Sequence, residues 1–328
     1  MQGTANSFID GRGSLVITLP MMRFRSALAL CAAALCSLAS FQAFAETSEP
    51  DTTPVEQVQI TADSRPALWK IGDADTTIYL FGTIHVLPEG IDWFKGPVEA
   101  AFASSDTLVT EVAGNDEAKM QGLVVKLAVL PDGTSLRDQL AEDQRKAYEA
   151  ALTSYNLPPA MFDRFEPWYA AIGLSTLPLI REGFSPDHGV EEALEKRAKS
   201  RQMEQQGLET VEYQLGLFDG LPEDVQKRYL GEVIGQLPKF RDEIRAMIEA
   251  WRVGDTEKLA SLMNAEESDP VMIEELLTKR NRAWAKWLND RLDQPGTVFV
   301  AVGAGHLAGA GSVQEQLAGR GIGAARVQ

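Results

Sequence analysis

The chain has 328 residues, with 31 Lys and Arg against 47 Asp and Glu and a formal net charge of −16 at pH 7. Such an acidic chain repels phosphate backbones, so no nucleic-acid partner is expected. Its two cysteines, Cys31 and Cys36, lie close to the N-terminus, which argues against disulfides or thiolate metal sites in the rest of the chain.

Residues 22–45 have the features of a secretory signal peptide: two arginines, an apolar segment and an Ala-Phe-Ala cleavage sequence that ends at Ala45. The apolar segment is shorter than the ~20 residues that a spanning helix needs. We therefore expect residues 1–45 to be removed and residues 46–66 to form a flexible leader. The mature protein would be periplasmic or secreted, without stable membrane insertion after cleavage.

Residues 67–328 are expected to form one domain that begins with strands. Apolar alternation predicts a hairpin with strands at 68–71 and 76–81, then a short helix and a third strand that ends at Glu111. From about 116 to 289 the pattern is helical, with one short strand predicted in "GLETVEYQ". The last forty residues return to strand, loop, helix and strand. The fold class is therefore α+β: a central mixed β-sheet built from N- and C-terminal strands, with a large helical insertion.

Two of the chain's three histidines stand in the same local setting, G-x-x-H after an apolar strand. The first copy runs from Gly82 to His85 and the second from Gly303 to His306. The glycines, together with Gly305, leave room for close backbone approach at each strand end. Because ligands of open α/β sheets bind beyond the carboxyl ends of strands, both histidines are candidate site residues.

Glu111 supplies a third strand end with suitable chemistry. Two imidazoles and a carboxylate can bind a divalent metal with open positions for water, or act directly as base and acid. Glu209, Arg280 and Arg282 are candidate supporting groups that orient a carboxylate or stabilise an oxyanion, with surface salt bridges as the alternative.

The third histidine, His188, lies at a helix start in "SPDHGVEEAL", where Ser185 or Asp187 can cap the helix. A capping role or a substrate contact is expected of this segment rather than metal ligation. The chain contains no H-E-x-x-H helix, G-x-S-x-G elbow or G-K-[ST] phosphate loop.

Five segments together resemble the TraB/PrgY/GumN family, which is related to the Tiki metalloproteases and more distantly to erythromycin esterases. They are "LWKIGDADTTIYLFGTIHVLPEG", "DTLVTEV", "GLETVEYQL", "LTKRNRAWAKWL" and "VFVAVGAGHLAGAGSVQEQL". They follow the same order as in the family and extend from about Leu68 to the C-terminus. The resemblance implies a Tiki/erythromycin-esterase-like domain whose paired G-x-x-H motifs form the active centre.

For the Tiki branch, the resemblance implies a peptidase site that depends on a divalent metal and favours Mn or Co. The cofactor expected for this protein is therefore a divalent metal: Mn, Co or Zn. His85, His306 and Glu111 would hold the metal, and Glu209 with Arg280 or Arg282 would support it. In "DHGVEEAL", Glu191 stands where the family often has aspartate, which leaves its role open.

The leading functional hypothesis is an exported metal-dependent hydrolase, with a peptidase as first choice, acting on a peptide or small-molecule substrate. Either Glu111 or Glu209 would serve as the base. Two alternatives stay open. One is a non-catalytic protein that sequesters a peptide or haem, since PrgY-like members are associated with blocking a peptide pheromone. The other is a metal-free His/Glu esterase in the manner of erythromycin esterases.

Overall fold

The computed structural model describes residues 64–114, 117–263 and 269–328. The predicted signal peptide, its cleavage site after Ala45 and nearly all of the predicted leader lie outside the described residues. Among the described residues, no helix combines the length and apolarity needed to cross a membrane.

A six-stranded mixed sheet forms the centre of the structure, in the order β4-β3-β5-β2-β1-β6. The strands are β1 (Leu68–Gly72), β2 (Thr76–Thr83), β3 (Thr107–Val112), β4 (Glu204–Glu209), β5 (Gly296–Gly303) and β6 (Ala325–Arg326). β2, β5, β3 and β4 run parallel, whereas β1 is antiparallel to both β2 and β6. N- and C-terminal strands thus share one sheet, which confirms the predicted α+β fold.

Helices fill most of the chain between β3 and β5 and also follow β2 and β5. They are α1 (Gly96–Ala103), α2 (Glu117–Leu127), α3 (Leu136–Gln139), α4 (Glu142–Ser154), α5 (Pro167–Arg181), α6 (Val190–Ser200), α7 (Val211–Asp219), α8 (Glu223–Gln236), α9 (Phe240–Arg252), α10 (Thr256–Met263), α11 (Pro270–Ile273), α12 (Lys279–Arg291) and α13 (Val313–Ala318). Short 3₁₀ turns lie at Pro186–His188 and Ala304–Leu307, and a π-helical turn, Glu274–Thr278, joins α11 to α12.

The two faces of the sheet are covered by different helices. Phe81 and Phe299 pack with Trp251 of α9 on one face, whereas Leu80 and Val300 pack with α12 and α13 on the other. Burial on both faces explains why β2 and β5 read as nearly continuous apolar runs. The α5 and α8 region of the insertion has a further core around Trp168 and Tyr148.

Two strand boundaries differ from the sequence prediction. β4 begins at Glu204, earlier than the apolar residues of "GLETVEYQ" indicate, because it is an exposed edge strand with polar side chains and gives no hydrophobic alternation. β2 continues to Thr83, two residues beyond the predicted end, because its parallel pairing with β5 continues to Thr83 opposite Gly303.

Candidate functional site

Both G-x-x-H motifs emerge at the same edge of the sheet. β2 and β5 are parallel neighbours that end opposite each other, at Thr83 and Gly303. β3 pairs with the other side of β5. The backbone amide of Gly303 donates a 2.8 Å hydrogen bond to Oε1 of Glu111, near the end of β3. The structure therefore brings together the three strand ends singled out from the sequence.

Two of the motif glycines, Gly82 and Gly303, lie in close contact with neighbouring groups. A Cβ on Gly303 would lie 3.1 Å from Oε1 of Glu111, and a Cβ on Gly82 would lie 3.1 Å from both Cα and Cβ of Ala304. The carbonyl of Gly82 also accepts a 2.8 Å hydrogen bond from Nε1 of Trp251. Gly305 lies buried in the turn that carries His306.

Arg280 of α12 is the centre of the site's hydrogen-bond network. Its Nε donates to both carboxylate oxygens of Glu209, at 3.0 and 3.1 Å, and its Nη2 donates to Glu111 at 2.6 Å and to Glu209 at 2.8 Å. Nη1 donates to the carbonyl of Leu276 at 3.1 Å and lies 3.1 Å from Nε2 of His306. Leu276 lies in the π-helical turn before α12. The change from α-helical to π-helical hydrogen bonding therefore occurs next to the site, as is frequent for π-helical turns.

Two buried carboxylates thus share one guanidinium. Gln214 of α7 bridges them, donating from Nε2 to Glu111 at 3.0 Å and to Glu209 at 2.9 Å. Trp284 donates from Nε1 to Oε1 of Glu209 at 2.8 Å. Burial alone would raise the pKa of Glu111, but Arg280 and the Gly303 amide hold that pKa well below its ordinary value. Glu111 is therefore a carboxylate across the physiological pH range.

His306 is enclosed on both ring nitrogens. Its Nδ1 lies 2.5 Å from Oδ1 of Asn281, its Nε2 faces Arg280, and the Trp284 ring lies 4.3 Å away between centroids. The distance from Nε2 to Oε1 of Glu111 is 3.9 Å, too long for a hydrogen bond. Burial and the Arg280 charge lower the pKa of His306 to about 3, against the opposing attraction of Glu111.

His85 has a different environment. Its Nδ1 lies 3.1 Å from Oε1 of Glu191, which also accepts a short hydrogen bond from the Thr83 hydroxyl. Nε2 of His85 and Oε2 of Glu191 are both buried and have no hydrogen-bond partner. Burial raises the pKa of Glu191, although His85 and Thr83 oppose part of the rise. Glu191, whose role the sequence left open, is thus the carboxylate that orients His85.

The N-terminus of α6 and the glycine before it hold the first motif in place. Val190 donates its amide to the carbonyl of Ile84 at 3.0 Å. A Cβ on Gly189 would lie 2.1 Å from the carbonyl oxygen of His85, so only glycine fits there without a backbone shift.

Two sequence candidates lie outside this network. Arg282 pairs with Glu274 on the surface, and its side chain is 48% exposed. His188 is exposed in its 3₁₀ turn, where Ser185 accepts a hydrogen bond from the Asp187 amide at 3.1 Å, as the predicted cap requires. The arginine that contacts the predicted glutamates is therefore Arg280.

Sequence reasoning assigned no role to Gln214, Asn281 or Thr83. Gln214 and Asn281 occupy positions of the apolar faces of their helices, together with Leu215 and Phe218 in α7 and with Trp284 and Leu288 in α12. A polar residue in an apolar stripe must find a buried partner, and that signal could have identified both.

The divalent-metal site implied by the resemblance does not fit these residues as they are arranged. The lone pair of His306 Nε2 faces a guanidinium, and the same cation contacts Glu111 at 2.6 Å. A metal bound to His306 and Glu111 would lie against this fixed positive charge. Within the ranges that the structure describes, no three His, Cys, Asp or Glu side chains are arranged to hold an ion.

The comparisons with known proteins agree with the resemblance. An uncharacterised protein of Treponema pallidum (strain Nichols) is 23% identical over 263 residues, which cover 75% of this chain and 78% of the relative. The uncharacterised protein YbaP of Escherichia coli (strain K12) is 22% identical over 241 residues, or 73% and 87% of the two chains. No solved structure matches the chain. The sequence model of the TraB/PrgY/gumN family matches residues 67–326, and the chain therefore belongs to that family.

Proposed function

We propose that this protein is a hydrolase in which His85 acts as a general base towards water, without a metal ion. The observation that carries the proposal is the state of the His85 ring. Its Nδ1 lies 3.1 Å from Oε1 of Glu191, while its Nε2 is buried without a partner. A histidine oriented by a carboxylate, with the other ring nitrogen free, is the arrangement that general-base catalysis requires.

The chemistry follows from these contacts. When Nδ1–H donates to Glu191, the Nε2 atom of His85 carries the lone pair. Nε2 removes a proton from water as the water oxygen bonds to the carbonyl carbon of an ester or amide. The bond from that carbon to the leaving group then breaks, and the leaving group takes the proton from His85. Glu191 stabilises the imidazolium between these two steps.

The Arg280 network supports this reaction by keeping Glu111, Glu209 and His306 in fixed positions beside His85. Every nitrogen of the Arg280 guanidinium already bonds Glu111, Glu209, Leu276 or His306. These side chains therefore need no rearrangement when substrate binds, which favours preorganised catalysis. The proposed substrates are peptides or small-molecule esters and amides. The proposed location, in the periplasm or outside the cell, rests on the signal-like N-terminus alone.

The test is hydrolysis by the purified protein. A panel of chromogenic esters and a peptide mixture read by mass spectrometry are incubated with the protein, once with a chelator and once with added Mn²⁺, Co²⁺ or Zn²⁺. We expect turnover that survives chelation. His85→Gln should lower kcat by roughly 10²–10⁴-fold, the usual contribution of a general base. His188→Gln, which changes the exposed third histidine, is the matched control and should leave kcat unchanged.

Two outcomes contradict the proposal. Cleavage that requires added metal would restore the metal-dependent peptidase hypothesis. Tight binding of a peptide or of haem, with no product from any substrate, would instead favour the sequestering protein.

A further inference from the structure

The hydrogen-bonding role of each His306 nitrogen can be deduced from its neighbours. Arg280 faces Nε2 at 3.1 Å, and a guanidinium carries only donors, so Nε2 must accept. On the other side, Asn281 donates from Nδ2 to the carbonyl of Gly311 at 2.8 Å. Because that carbonyl can only accept, the Asn281 amide has one possible orientation, and its Oδ1 faces Nδ1 of His306.

Both neighbours therefore require the same form of the ring: neutral, with the proton on Nδ1. We infer that Asn281 is a positioning residue that fixes this tautomer of His306, so that the Nε2 lone pair holds Arg280 in place. Asn281 is fully buried, at 0% exposure, and both polar atoms of its amide are bonded. Loss of either partner would leave a buried polar atom unsatisfied, which is strongly unfavourable.

The inference separates the two histidines that the sequence presents as equivalent. His306 has no free lone pair in this arrangement, because Nε2 is committed to Arg280. His85 keeps an unpartnered Nε2. The second motif therefore positions the guanidinium that binds Glu111 and Glu209, whereas the ring nitrogen without a partner belongs to the first motif. The tautomer assigned to His306 goes beyond the proposed hydrolysis and does not depend on it.

Nitrogen NMR tests the inference without any substrate. The chain has only three histidines, so ¹⁵N-histidine labelling gives three rings, which His85→Gln and His188→Gln assign. In long-range ¹H–¹⁵N spectra at neutral pH, we expect a pyrrole-type shift for Nδ1 of His306 and a pyridine-type shift for its Nε2. A pyrrole-type shift at Nε2 in the unmodified protein would overturn the inference.

Asn281→Leu is the informative variant, because it keeps the size of the side chain but removes the Oδ1 acceptor of Nδ1–H. The shifts of Nδ1 and Nε2 of His306 should then move towards intermediate values, as expected for a mixture of tautomers. Asn281→Asp, whose carboxylate oxygen can still accept from Nδ1–H, should keep the original pattern. Asn289→Leu changes a side chain of the same helix that bonds Asp290; it is the matched control and should leave the His306 shifts unchanged. If a folded Asn281→Leu protein kept the original pattern, Asn281 would have no positioning role.

An unfolded variant still leaves the unmodified protein's spectrum to decide the tautomer. Failure of the hydrolysis assays would leave these shifts as they are. A wrong tautomer would likewise leave any His85-dependent turnover intact, so the two proposals fail separately.

Discussion

Replacing Arg280 with methionine should strongly destabilise the fold. The substitution keeps a long, unbranched side chain but removes the cation that binds Glu111 at 2.6 Å and Glu209 at 2.8 Å. Glu111 and Glu209 would then be buried carboxylates without a counter-charge, and the carbonyl of Leu276 would lose a donor. Breaking a buried ion pair by removing one partner costs about 3–5 kcal/mol. Because Arg280 serves two carboxylates, we expect the upper part of that range.

Urea unfolding followed by far-UV circular dichroism measures the loss. The urea concentration at the midpoint of unfolding should fall, while the slope of the unfolding free energy against urea concentration stays constant. Arg282→Met, two residues further on and in an exposed pair with Glu274, should leave the midpoint nearly unchanged. Adding Glu209→Gln to Arg280→Met should restore part of the stability, because it removes one unpaired buried charge. If Arg280→Met and Arg282→Met unfolded at the same urea concentration, the argument for a buried Arg280 network would fail.

The pH dependence of that variant gives a second check with a definite sign. In the unmodified protein the pKa of Glu111 is held low, so its contribution to stability is present above the unfolded pKa of about 4.3 and is lost as pH falls. Without Arg280, burial dominates and raises the pKa of Glu111. The variant should therefore lose stability as pH rises through neutrality. A variant whose stability rose from pH 6 to pH 8 would contradict this reading.

Three further predictions concern the two histidines. Because the pKa of His306 is lowered to about 3, the unfolded chain binds more protons below pH 6.5. Acidification from pH 7 to 5 should therefore lower the free energy of unfolding by about 2 kcal/mol from this group. The raised pKa values of Glu195 and Glu232 act in the opposite direction, so the contribution is measured as the difference in this pH effect between the unmodified protein and His306→Gln in urea titrations. Gly189→Ala would force a shift at the carbonyl of His85 and should cost about 1–3 kcal/mol; Gly216→Ala, in open space on α7, is its control, and equal midpoints would argue against the tight contact. Glu191→Gln should lower kcat about 10²-fold, whereas an unchanged rate would remove Glu191 from the proposed mechanism.

The sheet and the edge where the site lies could be predicted from the sequence because burial on both faces leaves long apolar runs. β2 and β5 carry such runs, and each ends just before its histidine. β4 could not be placed in the same way, since an exposed polar edge strand has no hydrophobic pattern. Its pairing with β3 depends on contacts between distant parts of the chain.

The choice between Arg280 and Arg282 shows what helical spacing can add. Counting back in fours from Leu288 leads to Trp284 and then to Arg280, whereas Arg282 falls on the other side of the helix. That spacing was available in the sequence and favours Arg280. The spacing does not predict which glutamates contact Arg280, because Glu111 and Glu209 lie in strands that are distant from α12 in the sequence.

The two G-x-x-H motifs show why similar local sequences acquire different chemistry. Each motif ends a parallel strand at the same sheet edge, so the strand geometry delivers the two histidines in comparable positions. The neighbours then differ. The first turn of α6 gives His85 one carboxylate, Glu191, and leaves Nε2 without a partner, whereas α12 gives His306 an amide on one nitrogen and a guanidinium on the other. Reactivity is therefore decided by the helices that pack against the edge, and substitutions in α6 and α12 should alter the two histidines independently.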